Sequence, residues 1–500
     1  MSDEQKESLS ARTVKNVAWL GSSQAIRQFV GIVTTLLMAR FLLPSDYGIF
    51  AMTLFVAELA QLFVDFGIGS ALIQRKHVDQ RMLSTCFWLN MGVAVIAGLV
   101  VVASGPFAAA YFKQPLVAQL LLVCAVNLLI SGMAVLPQAV LSRQLAMHHV
   151  AVGTTIGSLS AAAVTLSMAA AGFGVWALVF QPLIGTTVNL AYLLWKSRWR
   201  PSMVFDLSSI DGVLRFSGHM LAGGTVSQFT RNMPHLIFAP TLGASALGLL
   251  SMAMTVAWTP VAQLSGVAVR AIYPAFARLQ DEKARMSAAL FRALEVIGLV
   301  SWPILTALAV MASDLMPTVF GPQWADAAPL VTIFCVVSMI QCITSLSGST
   351  LLALGRSDIG MRLALVSLPV AFIALWPVRN ETLPVAALAL AGSTVFMLLL
   401  GFWFAVRNLG CGWRALLQLL ARPLAASAVM GLSMAVLQAQ LQGHLPALGR
   451  MVVVAIAGVL VYGLATWTLN RAALLGTVSL LRQTFDRRRG TAAGSVDERA

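Results

Sequence analysis

The sequence predicts an all-α integral membrane protein with about fourteen transmembrane helices, arranged as two six-helix bundles that are parallel pseudo-repeats plus two C-terminal helices. Three observations predict it. Hydrophobic residues make up 58% of the 500 residues and charged ones only 10%, where a soluble domain carries about 25% charged residues. Lysine and arginine concentrate in alternate inter-helix segments. A stretch in the first half recurs 200 residues later.

A bilayer requires about 20 consecutive apolar residues per helix. Runs of that kind, divided by charged or Pro/Gly punctuation, fall at 16–39, 46–70, 83–110, 116–140, 150–171, 174–195, 215–239, 245–269, 287–311, 328–354, 363–378, 384–406, 418–439 and 451–470. The mean hydropathy of +0.83 agrees with so large an apolar share.

Orientation follows from the cations. With the N-terminus in the cytoplasm, the outer loops hold only Arg40, Lys113, Arg379 and Arg450, and, apart from Arg215, Arg292 and Arg422 near the cytoplasmic ends of their spans, only Arg27 and Arg231 lie inside spans. Every other Lys and Arg falls in a cytoplasmic segment, as the positive-inside rule requires. A missed or extra helix would scramble this bias, so an even number of spans with both termini inside is expected. The net charge of +14 then needs no nucleic acid partner. The first 15 residues are polar, and no small-residue cleavage site follows the first apolar run, so no cleaved signal peptide is expected. Residues 471–500, with "DRRRG" at 486–490, read as a basic cytoplasmic tail able to meet anionic membrane lipids. The five cysteines show neither a C-x-x-C pair nor zinc spacing, so no disulfide and no metal are expected.

The repeat aligns "QFVGIVTTLLMARFLLPSDYGIFAM" (28–52) with "QFTRNMPHLIFAPTLGASALGLLSM" (228–252). Identities fall at Gln28/Gln228, Phe29/Phe229, Leu36/Leu236, Ala39/Ala239, Leu42/Leu242, Ser45/Ser245, Gly48/Gly248 and Met52/Met252. Six spans separate the copies, so both begin from the same side, and the halves are related by an axis along the membrane normal. The implied organisation is a cytoplasmic N-terminal segment 1–15, a first six-helix bundle 16–195, a cytoplasmic connecting loop 196–214, a second bundle 215–406, two additional transmembrane helices 407–470 and the tail 471–500.

Polar residues inside the spans are few and concentrated. Span one carries Asn16, Ser23, Arg27 and Thr34 at helical spacing, with Gln28 beside Arg27. Span seven carries Ser217, Gly224, Gln228, Arg231, Asn232 and His235. Span two places Glu58, Gln61 and Asp65 on one face. Ionisable groups in a membrane face the bundle interior or a wet cavity and mark a pathway. Arg27, Arg231, Gln28, Gln228, Asn232 and His235 are therefore candidate cavity residues for an anionic headgroup, because a guanidinium fork matches phosphate oxygens. Two roles compete for Arg27: a buried ion pair with Glu58, or a contact to substrate across water. Glu58 and Asp65 are candidates for pairing or for binding a coupling H⁺ or Na⁺, and for Asp65 capping or loop pairing is an alternative. His235 is equally explained as a hydrogen-bonded interior histidine.

Enzymatic chemistry finds no foothold. There is no Gly-Lys dipeptide, hence no phosphate-binding loop. There is no H-E-x-x-H and no G-x-S-x-G, and no loop is long enough to form a catalytic domain. No cofactor and no enzymatic activity are expected.

Five stretches then carry a resemblance: "RFLLPSDYGIFAM" (40–52), "DFGIGSALIQRK" (65–76), "YPAFARLQDE" (273–282), "FGPQWADA" (320–327) and "LGRSDIGMR" (354–362). In this order and spacing the chain resembles the polysaccharide-repeat-unit flippases and exporters of bacteria, within the multidrug/oligosaccharidyl-lipid/polysaccharide exporter superfamily. The resemblance implies fourteen spans in two six-helix lobes, alternating access and a basic cavity. The implied substrate is an undecaprenyl-pyrophosphate-linked oligosaccharide moved outward across the bacterial inner membrane, for lipopolysaccharide or exopolysaccharide biosynthesis. Polymerase and glycosyltransferases of the same pathway are the implied partners. Relatives often carry an Asp in span seven where this chain has Pro234, so no role of that Asp is carried over. An ion-coupled multidrug antiporter of the same superfamily is the alternative, although two deep arginines suit cationic drugs poorly. A non-transporting scaffold would need no such arginines.

Overall fold

The computed structural model describes residues 3–64, 68–69, 72, 75, 78–206, 211–279, 282–469 and 471, except for the side chains of 3–18, 20, 22, 211–224, 264–275, 277, 278, 357 and 413. Asp65 lies outside the described residues. Among these residues the only regular structure is helical: α1 (Asp3–Phe41), α2 (Pro44–Val64), α3 (Gln80–Phe112), α4 (Leu116–Arg143), α5 (Met147–Ala170), α6 (Val175–Ser197), α7 (Asp211–Arg278), α8 (Lys283–Leu315), α9 (Ala328–Thr344), α10 (Ser347–Ala353), α11 (Ser357–Leu375), α12 (Leu383–Leu409), α13 (Trp413–Leu441) and α14 (Ala447–Leu469). This is the only spanning architecture that satisfies every backbone group without water, apart from a closed barrel.

Local chemistry sets the ends. Asp79 caps α3, its Oδ1 accepting from Met82 N at 2.9 Å. At the other end Lys113 turns left-handed and Gln114 N returns to Ala109 O at 3.0 Å, and Pro115 follows, unable to continue the helix. Between α8 and α9 the chain widens into a π-turn at Met316–Phe320 and then tightens into a 3₁₀ turn at Pro322–Ala327.

Twelve segments among the described residues are long and apolar enough to cross a membrane. The expected count of about fourteen differs from this at two places. α1 is not among the twelve, and the spans expected at 215–239 and 245–269 run together as α7, interrupted only at Gly243 (φ 82°, ψ 174°). That conformation is open to glycine because it has no Cβ to clash.

The helices pack into two compact units. One comprises the described residues of Met1–Ser251 and Ala364–Ala386, the other those of Met252–Leu363 and Ala387–Ala500. The division thus falls inside α7. In the first unit α3 packs on α4, α5 on α6 and α1 on α5, while α2 lies against α3 and α4. Met38 of α1 and Leu42 just after it are buried with Ala169 of α5 and Ala177 and Leu178 of α6. In the second unit α8 packs on α9, α13 and α14, with Met430, Met434 and Val454 buried at the seam between α13 and α14.

Prolines inside helices leave the carbonyl four residues earlier without its usual donor. Two tyrosines supply that donor. Pro240 frees Leu236 O, and Tyr111 of α3 donates to it at 3.0 Å. Pro303 frees Leu299 O, and Tyr462 of α14 donates to it at 2.6 Å. In hydrocarbon an unmade backbone hydrogen bond is costly, so each tyrosine both satisfies the freed carbonyl and fastens a neighbouring helix.

Candidate functional site: a polar cluster on α1, α2, α5 and α7

Two polar groups form within the first unit. The first surrounds Arg27 at mid-length of α1. Its Nη2 donates to Gln24 Oε1, one turn back, at 2.5 Å, and its Nη1 donates to Thr154 Oγ1 of α5. Thr154 reaches α1 because α5 packs on α1; Gly153 and Gly157 let the same helix press onto α6, where a Cβ at Gly153 would meet Asn189 and Tyr192. Arg27 is half-buried, and Gln28 beside it is half-buried too.

The second group joins α2 to α7. Glu58 Oε2 accepts from Gln228 Nε2, and from Asn232 Nδ2 at 3.1 Å. Gln228 and Asn232 are one helical turn apart, so both amides point at the same carboxylate. The other end of the Gln228 amide, Oε1, accepts from Arg231 Nη2. Glu58 therefore connects to Arg231 through one glutamine. Gln228 and Asn232 are buried, at 5% and 6% relative exposure, while Arg231 is exposed. Beside the cluster, Phe55 and Phe229 meet edge to face with centroids 6.1 Å apart. They cover it with apolar surface, and a low local dielectric strengthens the hydrogen bonds within. On the far side Thr230 Oγ1 lies 3.1 Å from Ser367 Oγ of α11.

Of the residues singled out from sequence, the structure brings together Glu58, Gln228, Arg231 and Asn232. It does not join Arg27 to Glu58: the carboxylate is taken by α7 amides and the guanidinium by Gln24 and Thr154. His235 lies one turn beyond Arg231, with Nδ1 buried and unpartnered among the described residues. Asp65 falls outside the described residues. Thr154 was not foreseen. A threonine on a span rich in small residues is ordinary in sequence, and only the α1–α5 contact gives it a role.

A second charged site was also unforeseen. Asp314 at the end of α8 and Arg450 at the start of α14 form a bidentate pair, Nε–Oδ2 2.7 Å and Nη2–Oδ1 2.5 Å, with Gln438 Nε2 on Oδ2 at 3.0 Å. Both side chains are nearly buried, at 11–12% exposure.

A family profile described as polysaccharide biosynthesis protein matches residues 37–329, more than half of the chain. The chain belongs to this polysaccharide biosynthesis protein family. Among its relatives, the lipopolysaccharide biosynthesis protein WzxC of Escherichia coli (strain K12) is 27% identical over 361 residues, covering 71% of this chain and 73% of that protein. The teichuronic acid biosynthesis protein TuaB of Bacillus subtilis (strain 168) is 24% identical over 430 residues, 85% and 89% of the two chains. In fold, the chain is similar to the lipid II flippase MurJ in an inward closed conformation, with a TM-score of 0.74 at 12% identity over 91% of this chain and 99% of that one. It is also similar to an inward-facing multidrug resistance MATE family transporter of the MOP superfamily, with a TM-score of 0.61 at 12% identity over 78% and 98%. At such identities the two structural likenesses speak to fold alone. The family membership makes this multi-pass helical chain a membrane protein of polysaccharide biosynthesis.

Proposed function

We propose that the protein is a flippase that carries an undecaprenyl-pyrophosphate-linked oligosaccharide repeat unit from the cytoplasmic to the outer leaflet of a bacterial inner membrane, by alternating access and with both termini in the cytoplasm. The observation that carries this is Arg231. It is an exposed guanidinium in a membrane-spanning helix, held by a buried amide rather than neutralised by a carboxylate. Facing lipid, such a group would be very costly, whereas facing a wet path it is a ready partner for a diphosphate. Arg27, half-buried on the lead helix of the other repeat, is the second cation of the same path.

The lobes are proposed as 16–195 and 215–406. They are supported by reciprocal packing of the two copies of the repeat: a Cβ at Gly48 would strike Ala244 O, and one at Gly248 would strike Pro44 O. A contact that recurs with partners exchanged is the mark of a two-fold relationship. Translocation of this kind makes and breaks no covalent bond, so the protein's task is binding and movement rather than catalysis. Glu58 and Asp65 are the groups proposed to take up a coupling H⁺ or Na⁺, and the polymerase and glycosyltransferases of the pathway are the proposed partners.

The test is polymer export. In cells depleted of the native gene product, Arg27→Ala and Arg231→Ala should each lower surface polymer while the protein stays at normal abundance in the membrane. Arg27→Lys should be only partly tolerated, because an ammonium cannot make the bidentate contact. Undiminished export by the double alanine variant rejects the proposal.

A further inference from the structure

We infer that Gln228 is a positioning residue, not a substrate contact: it anchors Arg231 to Glu58 while keeping the carboxylate one amide away from the guanidinium, so that the cation stays fixed in place but uncompensated. This deepens the proposed function and rests on Arg231 being the anion-binding group.

Three observations carry it. Gln228 is 5% exposed, so its amide is withdrawn from any ligand. Both of its polar ends are engaged, Nε2 with Glu58 and Oε1 with Arg231. The partners also dictate which end is which: an ionised carboxylate only accepts and a guanidinium only donates. A primary amide meets both demands at once. Leucine meets neither. Glutamate would hold Arg231 but repel Glu58, and lysine would do the reverse.

Charge gives the arrangement its meaning. A carboxylate in direct bidentate contact with a guanidinium spends the cation's charge, as Asp314 does for Arg450 in the second unit. In the α2–α7 cluster the carboxylate is instead satisfied by two neutral amides, from Gln228 and Asn232. The guanidinium is held by a neutral oxygen, and Arg231 is exposed. The two sites show the two uses of the same ions: one closes a charge pair, the other keeps a cation open.

The decisive experiment exchanges the two groups. Glu58→Gln with Gln228→Glu preserves net charge and every hydrogen bond of the chain, but puts the carboxylate directly on Arg231. Full-length protein in nanodiscs is titrated with radiolabelled undecaprenyl pyrophosphate. Gln228→Glu alone should accumulate poorly, because its carboxylate would face and repel that of Glu58. The exchange should restore abundance yet bind the lipid about tenfold more weakly than wild type, about 1.4 kcal/mol. Wild-type affinity in the exchanged protein overturns the inference, since a merely structural glutamine would be fully replaced.

If Arg231→Ala binds the lipid as wild type does, it is the anion-binding role of Arg231 that fails. The relay is then read without ligand, as is also done if the exchanged protein does not accumulate. Thermal unfolding of Glu58→Gln, Arg231→Gln and their double variant should reveal coupling that disappears in a Gln228→Leu background. Coupling that persists without Gln228 overturns the relay itself.

Discussion

Gly48 and Gly248 meet at the point where the two copies of the repeat touch. A Cβ on Gly248 would lie 3.1 Å from Gly48 N and would run into Pro44 O, while one on Gly48 would run into Ala244 O. Pro44 and Ala244 are themselves 200 residues apart, so each contact is the image of the other. Both are made by the first turn of a helix, α2 and the part of α7 that restarts after Gly243. Contacts that recur with the partners exchanged are what a two-fold relation between the copies requires.

Adding bulk at this seam should therefore cost stability symmetrically. Gly48→Ala and Gly248→Ala should each destabilise by about 1–3 kcal/mol, the usual penalty for overpacking, because the opposing atoms are backbone and cannot swing away. Detergent-solubilised protein followed by thermal unfolding reads this directly. In a background without the five native cysteines, Gly48→Cys with Ala244→Cys and Pro44→Cys with Gly248→Cys should cross-link at similar rates under mild oxidation. A pair that forms on one side only would break the symmetry argument.

Thr154 gives Arg27 its only described partner outside α1. Thr154→Val keeps the shape and removes the acceptor, so the guanidinium loses a charge-assisted hydrogen bond worth about 1.5–3 kcal/mol. Polymer export should fall severalfold at unchanged abundance, with Thr154→Ser close to wild type. Equal export by the valine and serine variants would show that the hydroxyl has no part in holding Arg27.

The residues that sequence made legible are those whose meaning lies along one helix or in the repeat. The stripe of Gln228, Arg231, Asn232 and His235 on one face needs only a period of 3.6, and the break at Gly243 falls between two apolar runs. Partner choice between helices was not legible. Glu58 on α2 sits at a depth similar to Arg27 on α1, which made a pair one of two competing readings, but lateral packing puts the α7 amides nearer. Asp314 and Arg450 were each readable as a charge near a span end, and nothing in the chain between them says that they meet. The proline-freed carbonyls could be counted off as the residue four before each proline, but which tyrosine reaches them depends on the packing of α3 on α7 and of α14 on α8.

That pairing of tyrosine and proline makes a prediction with an internal control. Tyr462→Phe should destabilise the protein by about 1 kcal/mol, because Leu299 O is left without a donor. Pro303→Ala restores an N–H to that carbonyl from within α8. In the Pro303→Ala background Tyr462→Phe should then cost much less, and the difference between the two costs, read from thermal unfolding, measures the repair. Equal costs in both backgrounds would mean that the hydroxyl contributes nothing beyond packing.

The Asp314–Arg450 pair fastens α14 to α8 within the second unit, and Gln438 of α13 joins the same carboxylate. Breaking a pair this enclosed leaves an uncompensated charge, whereas replacing both partners by apolar residues removes the problem along with the bond. Arg450→Leu and Asp314→Leu should each lower the unfolding temperature and the amount of protein in the membrane, and the double leucine variant should recover most of both. Polymer export per molecule should be unchanged in the double variant, since this pair holds helices together and lies outside the proposed anion path of α1 and α7. A double variant less stable than either single would instead assign the pair a net stabilising role, and a loss of export at normal abundance would tie this end of the second unit to transport.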